Sequence, residues 1–255
     1  MKLNFDTRLS QVYANVRQNV KLMSEDWVEQ YMYCPCCTNP TLFRIKNNAP
    51  AADFVCENCG EYYEVKATGK QINDKIVDGA YKTMIERINS LSNPNLLVLQ
   101  YTERYKVNNL TLVPKYFFTP GVIEKRKALS DDAIRKNWVG CYILYGNIPK
   151  QGKTSVIADD EVNSVIDVYQ AYQRSKELSL PHLQSRSWML DVLNCVNDIQ
   201  GNEFTLQDMY LYIDILQKRY SQNNNIKEKI RQQLQVLRDK GVIEFLGNGN
   251  YRKKV

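Results

Sequence analysis

The sequence predicts a mixed α/β domain with a four-cysteine knuckle set into it, followed by a smaller α+β domain of three helices and a hairpin. Three observations carry this expectation. Helical and extended patterns alternate up to about residue 180, four cysteines fall into two C-x2-C pairs, and the chain beyond residue 183 shifts to amphipathic stretches that end in a Gly/Asn-rich turn. The expected division is residues 1–183, with the knuckle at 34–59, and residues 184–255.

The chain has 255 residues, enough for one large domain or two ordinary ones, and 44% of them are hydrophobic, which excludes a disordered chain. No apolar run approaches the ~20 residues of a membrane span. The first residues, Met1 to Asp6, lack the apolar stretch of a signal peptide, so a cytoplasmic location is expected. Thirty-four basic against 28 acidic residues give a formal charge of +6, which permits nucleic-acid binding and leaves the decision to where the charge sits. Seven cysteines in a reducing compartment argue against disulfides. The single histidine, His182, excludes any mechanism that needs two and reads as a surface residue.

Val12, Val16 and Val20 recur every four residues and predict a helix to about Met32, with Ser24-Glu25-Asp26 as an N-cap followed by acids. Ala52–Cys56 and Tyr62–Ala67 read as short strands, and Ile76–Ile88 as a helix. Asn95–Thr102 is a near-continuous apolar strand of the kind buried on both faces, Leu110–Pro114 and Gly140–Leu144 are further strands, and Asp167–Leu178 is helical. Pro181-His182 and the Gln-Ser-Arg-Ser run read as a linker. Trp188–Ile199, a helix capped by Thr205 and running to about Ile213, and Asn223–Lys240 then supply three helices. Val242–Phe245 and Tyr251–Lys254 flank the turn Leu-Gly-Asn-Gly-Asn, and this order is that of a winged helix.

Cys34, Cys37, Cys56 and Cys59 have the spacing of a tetrahedral zinc site: two cysteines three apart in a tight turn can put both thiolates on one ion. Four thiolates leave no open position, so the zinc would be structural. Cys36 is an alternative to Cys37, although the C-x2-C choice matches the second pair. Cys141 and Cys195 sit on apolar patterns and read as small core residues.

The knuckle's second pair lies in the turn between two candidate strands. Asp53 opens the first, and Glu64-Val65-Lys66 lies in the second, where Glu64 and Lys66 share a face. A hairpin would bring Asp53 beside them. Two carboxylates, with the Val65 carbonyl, make a site for a hard cation such as Mg²⁺, and Lys66 would orient or help deprotonate a water or stabilise the phosphate. This is phosphodiester hydrolysis chemistry in the PD-(D/E)xK arrangement of helix, Asp strand, E-x-K strand and helix. An E-x-K triplet alone more often marks a solvated face; its order among these elements is what favours chemistry.

Further stretches make the pattern specific: Glu25-Asp26-Trp27-Val28, Cys34–Cys37, Ala52-Asp53-Phe54 with Cys56–Cys59, Glu64-Val65-Lys66, Asp78-Gly79-Ala80-Tyr81, Trp138 with Gly140-Cys141, and Ile226–Leu234. With these the chain resembles the DpnI-like family of methyl-directed restriction endonucleases over essentially its whole length, with the match thinning across 144–179. The resemblance implies Asp53, Glu64 and Lys66 as the catalytic set. It also implies cleavage of GATC whose adenine is N6-methylated, and reading of that methylated sequence by both domains.

Basic residues gather at the C-terminus: Lys218, Arg219, Lys227, Lys229, Arg231, Arg238, Lys240, Arg252, Lys253 and Lys254. That surface is expected to meet phosphates. Asn223, Asn224 and Asn225 precede the candidate recognition helix, with Gln232 and Gln235 along it; Asn and Gln suit adenine edges and Arg231 suits guanine. Trp188 reads as core. Trp138, in the basic run Arg135-Lys136-Asn137-Trp138, is a candidate wedge or methyl contact, the alternative being packing under a loop. A zinc-ribbon and winged-helix regulator that binds without cutting is the competing reading. A monomer is expected, since no heptad pattern is evident.

Overall fold

The computed structural model describes residues 1–45, 52–72 and 74–254. Its first long helix, α1 (Val16–Tyr31), is capped by Asn15, whose side chain accepts the Arg17 N–H at 2.9 Å. Ser24 instead lies mid-helix, its hydroxyl donating to the Lys21 carbonyl at 3.0 Å. The expected valine stripe is not the core face either: Val12 and Val16 are 54% and 68% exposed, whereas Met23, Trp27 and Val28 are buried. The larger side chains remove more apolar area from water and so decide which face turns inward.

α1 packs on a seven-stranded sheet of order β1-β2-β3-β5-β6-β9-β10, formed by Phe43–Arg44, Phe54–Val55, Tyr62–Thr68, Asn95–Tyr101, Val107–Val113, Thr154–Ala158 and Glu161–Val162. All neighbours are antiparallel except β3 and β5, which run parallel. A parallel pair needs a crossover, and helix α2 (Tyr81–Ser90) supplies it. Leu96 to Leu99 on β5 are all buried, as their unbroken apolar run requires. α3 (Val165–Lys176) packs on β9.

The helix expected over Ile76–Ile88 begins only at Tyr81. Lys75–Ala80 is strand β4, which joins β8 (Gly140–Leu144) and β7 (Ile123–Lys125) in a separate three-stranded sheet of order β4-β8-β7. Ile76 and Val77 are β-branched and Asp78-Gly79 favours a helix poorly, so once β8 offers a ladder the extended form prevails.

The expected linker is not one. Leu183–Asp198 is a continuous helix, α4, that starts directly after the exposed His182, and the Gln-Ser-Arg-Ser run forms its first turns. Trp188 is 1% exposed and stacks on Tyr220 with ring centroids 3.7 Å apart. After β11 (Glu203–Thr205), Thr205 and Asp208 form a reciprocal capping box. The helix expected from Thr205 to about Ile213 is two short ones, α5 (Leu206–Tyr210) and α6 (Ile213–Arg219). α7 (Ile226–Asp239) follows, then the hairpin β12 (Ile243–Gly247) and β13 (Asn250–Lys253), which β11 extends to a three-stranded wing. Gly247, Asn248 and Gly249 turn the hairpin with φ of 91°, 51° and 76°, a left-handed run that only Gly and Asn adopt cheaply. Cys141 and Cys195 are buried, as expected of core thiols. No helix of the described residues is long and apolar enough to cross a membrane.

Candidate active site

The knuckle and the carboxylates share one hairpin. The turn at Cys34 and the turn at Cys56 repeat one geometry: Thr38 donates its N–H to the Cys34 carbonyl and Gly60 to the Cys56 carbonyl, each at 2.8 Å. The matching residues Thr38 and Gly60 are both left-handed, with φ of 63° and 72°. Each turn presents two thiols. The Sγ atoms of Cys34, Cys37, Cys56 and Cys59 all lie within 4.8 Å of one another, with Cys34–Cys59 and Cys37–Cys56 at 3.6 Å. A zinc tetrahedron with ~2.3 Å bonds has sulfur–sulfur edges of about 3.8 Å, so the cluster can hold a zinc ion. Burial opposes the Cys37 thiolate, but the Asn58 amide, donating to its Sγ at 3.4 Å, and the Asn39 N–H bring its pKa down to about 7. Cys36 points elsewhere: its sulfur accepts the Tyr63 hydroxyl at 3.0 Å, in the core. The choice between Cys36 and Cys37 thus falls to Cys37.

Tyr63 ties the knuckle to the strand that carries Glu64 and Lys66. It is fully buried on β3, its hydroxyl also 3.0 Å from Cys34 Sγ, and its backbone carbonyl accepts the Asp53 N–H at 2.8 Å. β2 pairs with β3 in the register Phe54↔Tyr63, so Asp53, just before β2, falls opposite Glu64. One Asp53 carboxylate oxygen accepts the Val65 N–H at 2.8 Å, which fixes that carboxylate beside the Glu64-Val65-Lys66 stretch.

Glu64 and Lys66 share a face as period-two alternation requires, and the Lys66 ammonium lies 2.6 Å from a Glu64 oxygen. Burial, with Asp78 and Asp53 adding like charge, outweighs the pull of Lys66 and pushes the Glu64 pKa up to about 6. For Lys66, burial works against the charge, but Glu64 and Asp78 together overcome it and hold the pKa above the ordinary lysine value.

Four further groups, none of them in the candidate set read from the sequence, join the site: Asp78, Lys21, Glu25 and Arg44. Asp78 of β4 lies 2.6 Å from Lys66 Nζ. Lys21 of α1 lies 3.7 Å from Asp53 and 3.3 Å from Glu25, and Glu25 also pairs with Arg44. The available signal was the family resemblance, since Glu25-Asp26-Trp27-Val28 and Asp78-Gly79-Ala80-Tyr81 are among the stretches that carry it; the segment of Asp78 reads as helix, which hid its place beside Lys66.

Trp138 is half-buried just before β8. A Cβ on Gly140 would stand 2.8 Å from its ring, so the indole lies directly on that glycine, beside Arg126. It sits two residues before the strand that pairs with the segment of Asp78, since Asp78 pairs with Cys141 and Ala80 with Gly140.

On α7, Ile226, Ile230, Leu234 and Leu237 are buried together with Gln233, which leaves Lys227, Arg231, Gln232 and Gln235 exposed. Lys229, at the flank, donates to Gln232 at 2.8 Å and lies over the Trp188 ring at 5.8 Å. Asn224 and Asn225 are exposed, and the Asn223 side chain accepts the Asn225 N–H at 2.8 Å in the turn that starts the helix.

The basic face is narrower than expected. Arg219 pairs with buried Asp191, which also accepts the Tyr220 hydroxyl at 2.6 Å. Lys240 donates to the Glu177 carbonyl past the end of α3, and Lys253 to the Ile199 carbonyl past α4. Arg252 pairs with Glu203 at 2.8 Å. Helix C-termini and buried carboxylates attract cations as strongly as phosphates do, and a sequence tally of charge cannot separate these uses.

With this geometry in place, the chain's similarity to known proteins has a structural counterpart. Residues 184–253, which hold α4 to β13, match the Dam-replacing helix-turn-helix domain. Residues 1–180, which hold the knuckle and the carboxylate cluster, match the DpnI family, described as the Dam-replacing family. The chain therefore belongs to the DpnI, Dam-replacing, family and carries that family's winged-helix domain at its C-terminal end.

Proposed function

We propose that the protein is a Mg²⁺-dependent, methyl-directed type II restriction endonuclease that hydrolyses double-stranded DNA at GATC sites carrying N6-methyladenine. The observation that carries this reading is the gathering of Asp53, Glu64 and Lys66 on one hairpin of a chain from the DpnI family. Residues 1–183 are the PD-(D/E)xK nuclease domain and residues 184–255 the winged-helix reader, acting as a monomer with both domains reading the methylated sequence.

Asp53, Glu64 and the Val65 carbonyl offer the hard oxygen donors that suit Mg²⁺. When bound, that ion supplies charge neutralisation at a phosphate oxygen and a more acidic water. Glu64 presents an anionic oxygen above a pH of about 6. Lys66, its ammonium between Glu64 and Asp78, orients or helps to deprotonate the attacking water or donates to a phosphate oxygen. On the reader, Lys227 and Lys229 meet phosphates, while Arg231, Gln232, Gln235 and the Asn223-Asn224-Asn225 turn face base edges. Trp138 presents the apolar surface that a methyl group, which offers no hydrogen bond, requires.

The test is incubation of adenine-methylated and unmethylated plasmid with the protein, with and without Mg²⁺. Cleavage confined to methylated plasmid with Mg²⁺ is expected. Retention of DNA without any strand break under all conditions would replace this reading with that of a non-cutting regulator.

A further inference from the structure

We propose that Asp78 is a positioning residue for cleavage: it anchors the Lys66 ammonium from outside the catalytic hairpin. The proposal rests on the reading of Lys66 as part of the catalytic set.

The Lys66 ammonium lies between two carboxylates, 2.6 Å from Glu64 Oε1 and 2.6 Å from Asp78 Oδ1. These partners differ in what else they do. Glu64 is a neighbour on the same strand and, in the proposed function, a donor to the metal. A carboxylate engaged that way has less charge to share with a lysine, so Glu64 alone cannot keep the ammonium in place through the reaction. Asp78 has no such second task. Its side chain is only 5% exposed, and it comes from β4, in the second sheet.

The ladder to β8 fixes the backbone at Asp78. Asp78 pairs with Cys141 of β8, and an irregularity in the ladder follows at Gly79 before pairing resumes at Ala80↔Gly140. The Cys141 thiol donates to the Gly79 carbonyl at 3.5 Å. A break of this kind re-aims the side chains around it. The small sheet thus brings an anion to the lysine from a direction the β2–β3 hairpin cannot reach. A lysine has four rotatable side-chain bonds, and confining its head group between fixed partners removes freedom that would otherwise be lost in the transition state.

The experiment compares Asp78→Asn with wild type and with Lys66→Ala on an adenine-methylated duplex. Asn keeps the shape and one acceptor while removing the charge, and Asp78→Ala serves as a second variant. Thermal midpoint and zinc content establish folding; single-turnover cleavage, duplex affinity in Ca²⁺ and the Mg²⁺ concentration for half-maximal rate are then measured. The expected result is a single-turnover rate lower by roughly 10²-fold, with duplex affinity and Mg²⁺ dependence within about threefold of wild type. Cleavage by Asp78→Asn within twofold of wild type, beside an inactive Lys66→Ala, would overturn the positioning role and leave the catalytic reading standing. Parallel loss of affinity and rate would make Asp78 merely structural, and a large rise in the Mg²⁺ requirement would make it a metal ligand; either overturns the proposal. Wild-type cleavage by Lys66→Ala would remove both this proposal and the reading it rests on.

Discussion

On β3 the Lys66 ammonium is held 2.6 Å from each of two carboxylates, whereas on α7 the exposed Arg231 reaches its own Glu228 only at 3.5 Å and Lys227 lies over the Tyr210 ring at 5.4 Å. The first arrangement spends desolvation to fix geometry and shift ionisation. The second leaves its cations hydrated, weakly coupled to the fold and free to exchange counterions for phosphates. A group that must act on one bond has to be placed; a group that supplies affinity has to be available. Within the winged helix the same contrast recurs: Arg219 is committed to Asp191 and Arg231 is not.

The largest expected effect separates the two regions by their dependence on zinc. One zinc per chain is expected by elemental analysis, and a chelator strong enough to remove it, or Cys56→Ser, should unfold the β2–β3 hairpin and abolish cleavage, because thiolate ligation and folding are coupled. The winged helix should still bind duplex DNA afterwards. Active protein free of zinc would break the comparison at its base.

Next in size, Asp53→Ala or Lys66→Ala should lower cleavage by at least roughly 10²-fold while duplex affinity stays within about threefold. Near-normal cleavage by either variant would take that residue out of the catalytic set.

Arginines provide a sharper contrast within one domain. Arg219→Ala should cost about 1.5–3 kcal/mol of stability, because it leaves the buried Asp191 with only the Tyr220 hydroxyl as its partner, without altering the salt dependence of DNA binding. Arg231→Ala should leave stability within about 0.5 kcal/mol and weaken methylated-site binding by about 1–3 kcal/mol if it reads a guanine. Thermal melts alongside salt titrations distinguish these outcomes, and an exchange of the two phenotypes would reverse the assignment.

The smallest effect is one of pH. Glu64 takes up its proton at about 6 rather than at the ordinary 4.5. The folded state therefore binds more protons than the unfolded chain between these values, and the cost of keeping Glu64 ionised in the fold is relieved as pH falls through that window. Cleavage should move the opposite way, declining as pH falls through about 6 because the protonated carboxyl is a poor metal ligand. A rate–pH profile at one fixed, subsaturating Mg²⁺ concentration measures this, since proton and ion then compete for the carboxylate. An Mg²⁺ concentration for half-maximal rate that does not change down to pH 4.5 would remove Glu64 as a ligand.

Much of the site was legible because it is local. The two C-x2-C pairs lie in turns, Glu64 and Lys66 share a face because strand periodicity is two, and the exposed side of α7 follows from Ile226, Ile230, Leu234 and Leu237 at helical spacing. The sequence by itself determined which residues could be thiolate ligands, which carboxylate and lysine point the same way, and which helix face carries Arg231 and Gln235. Only the tertiary structure decided what meets them. It turned Asp78 from a position in an expected helix into a strand residue facing Lys66, brought Lys21 to Asp53, sent Cys36 to Tyr63 rather than to the cluster, and tied Arg219, Lys240 and Lys253 to partners within the fold. The physical reason is range. Periodicity and turn chemistry act within a few residues, whereas a salt bridge between β3 and β4 or between α4 and α6 exists only after packing has closed the chain around it.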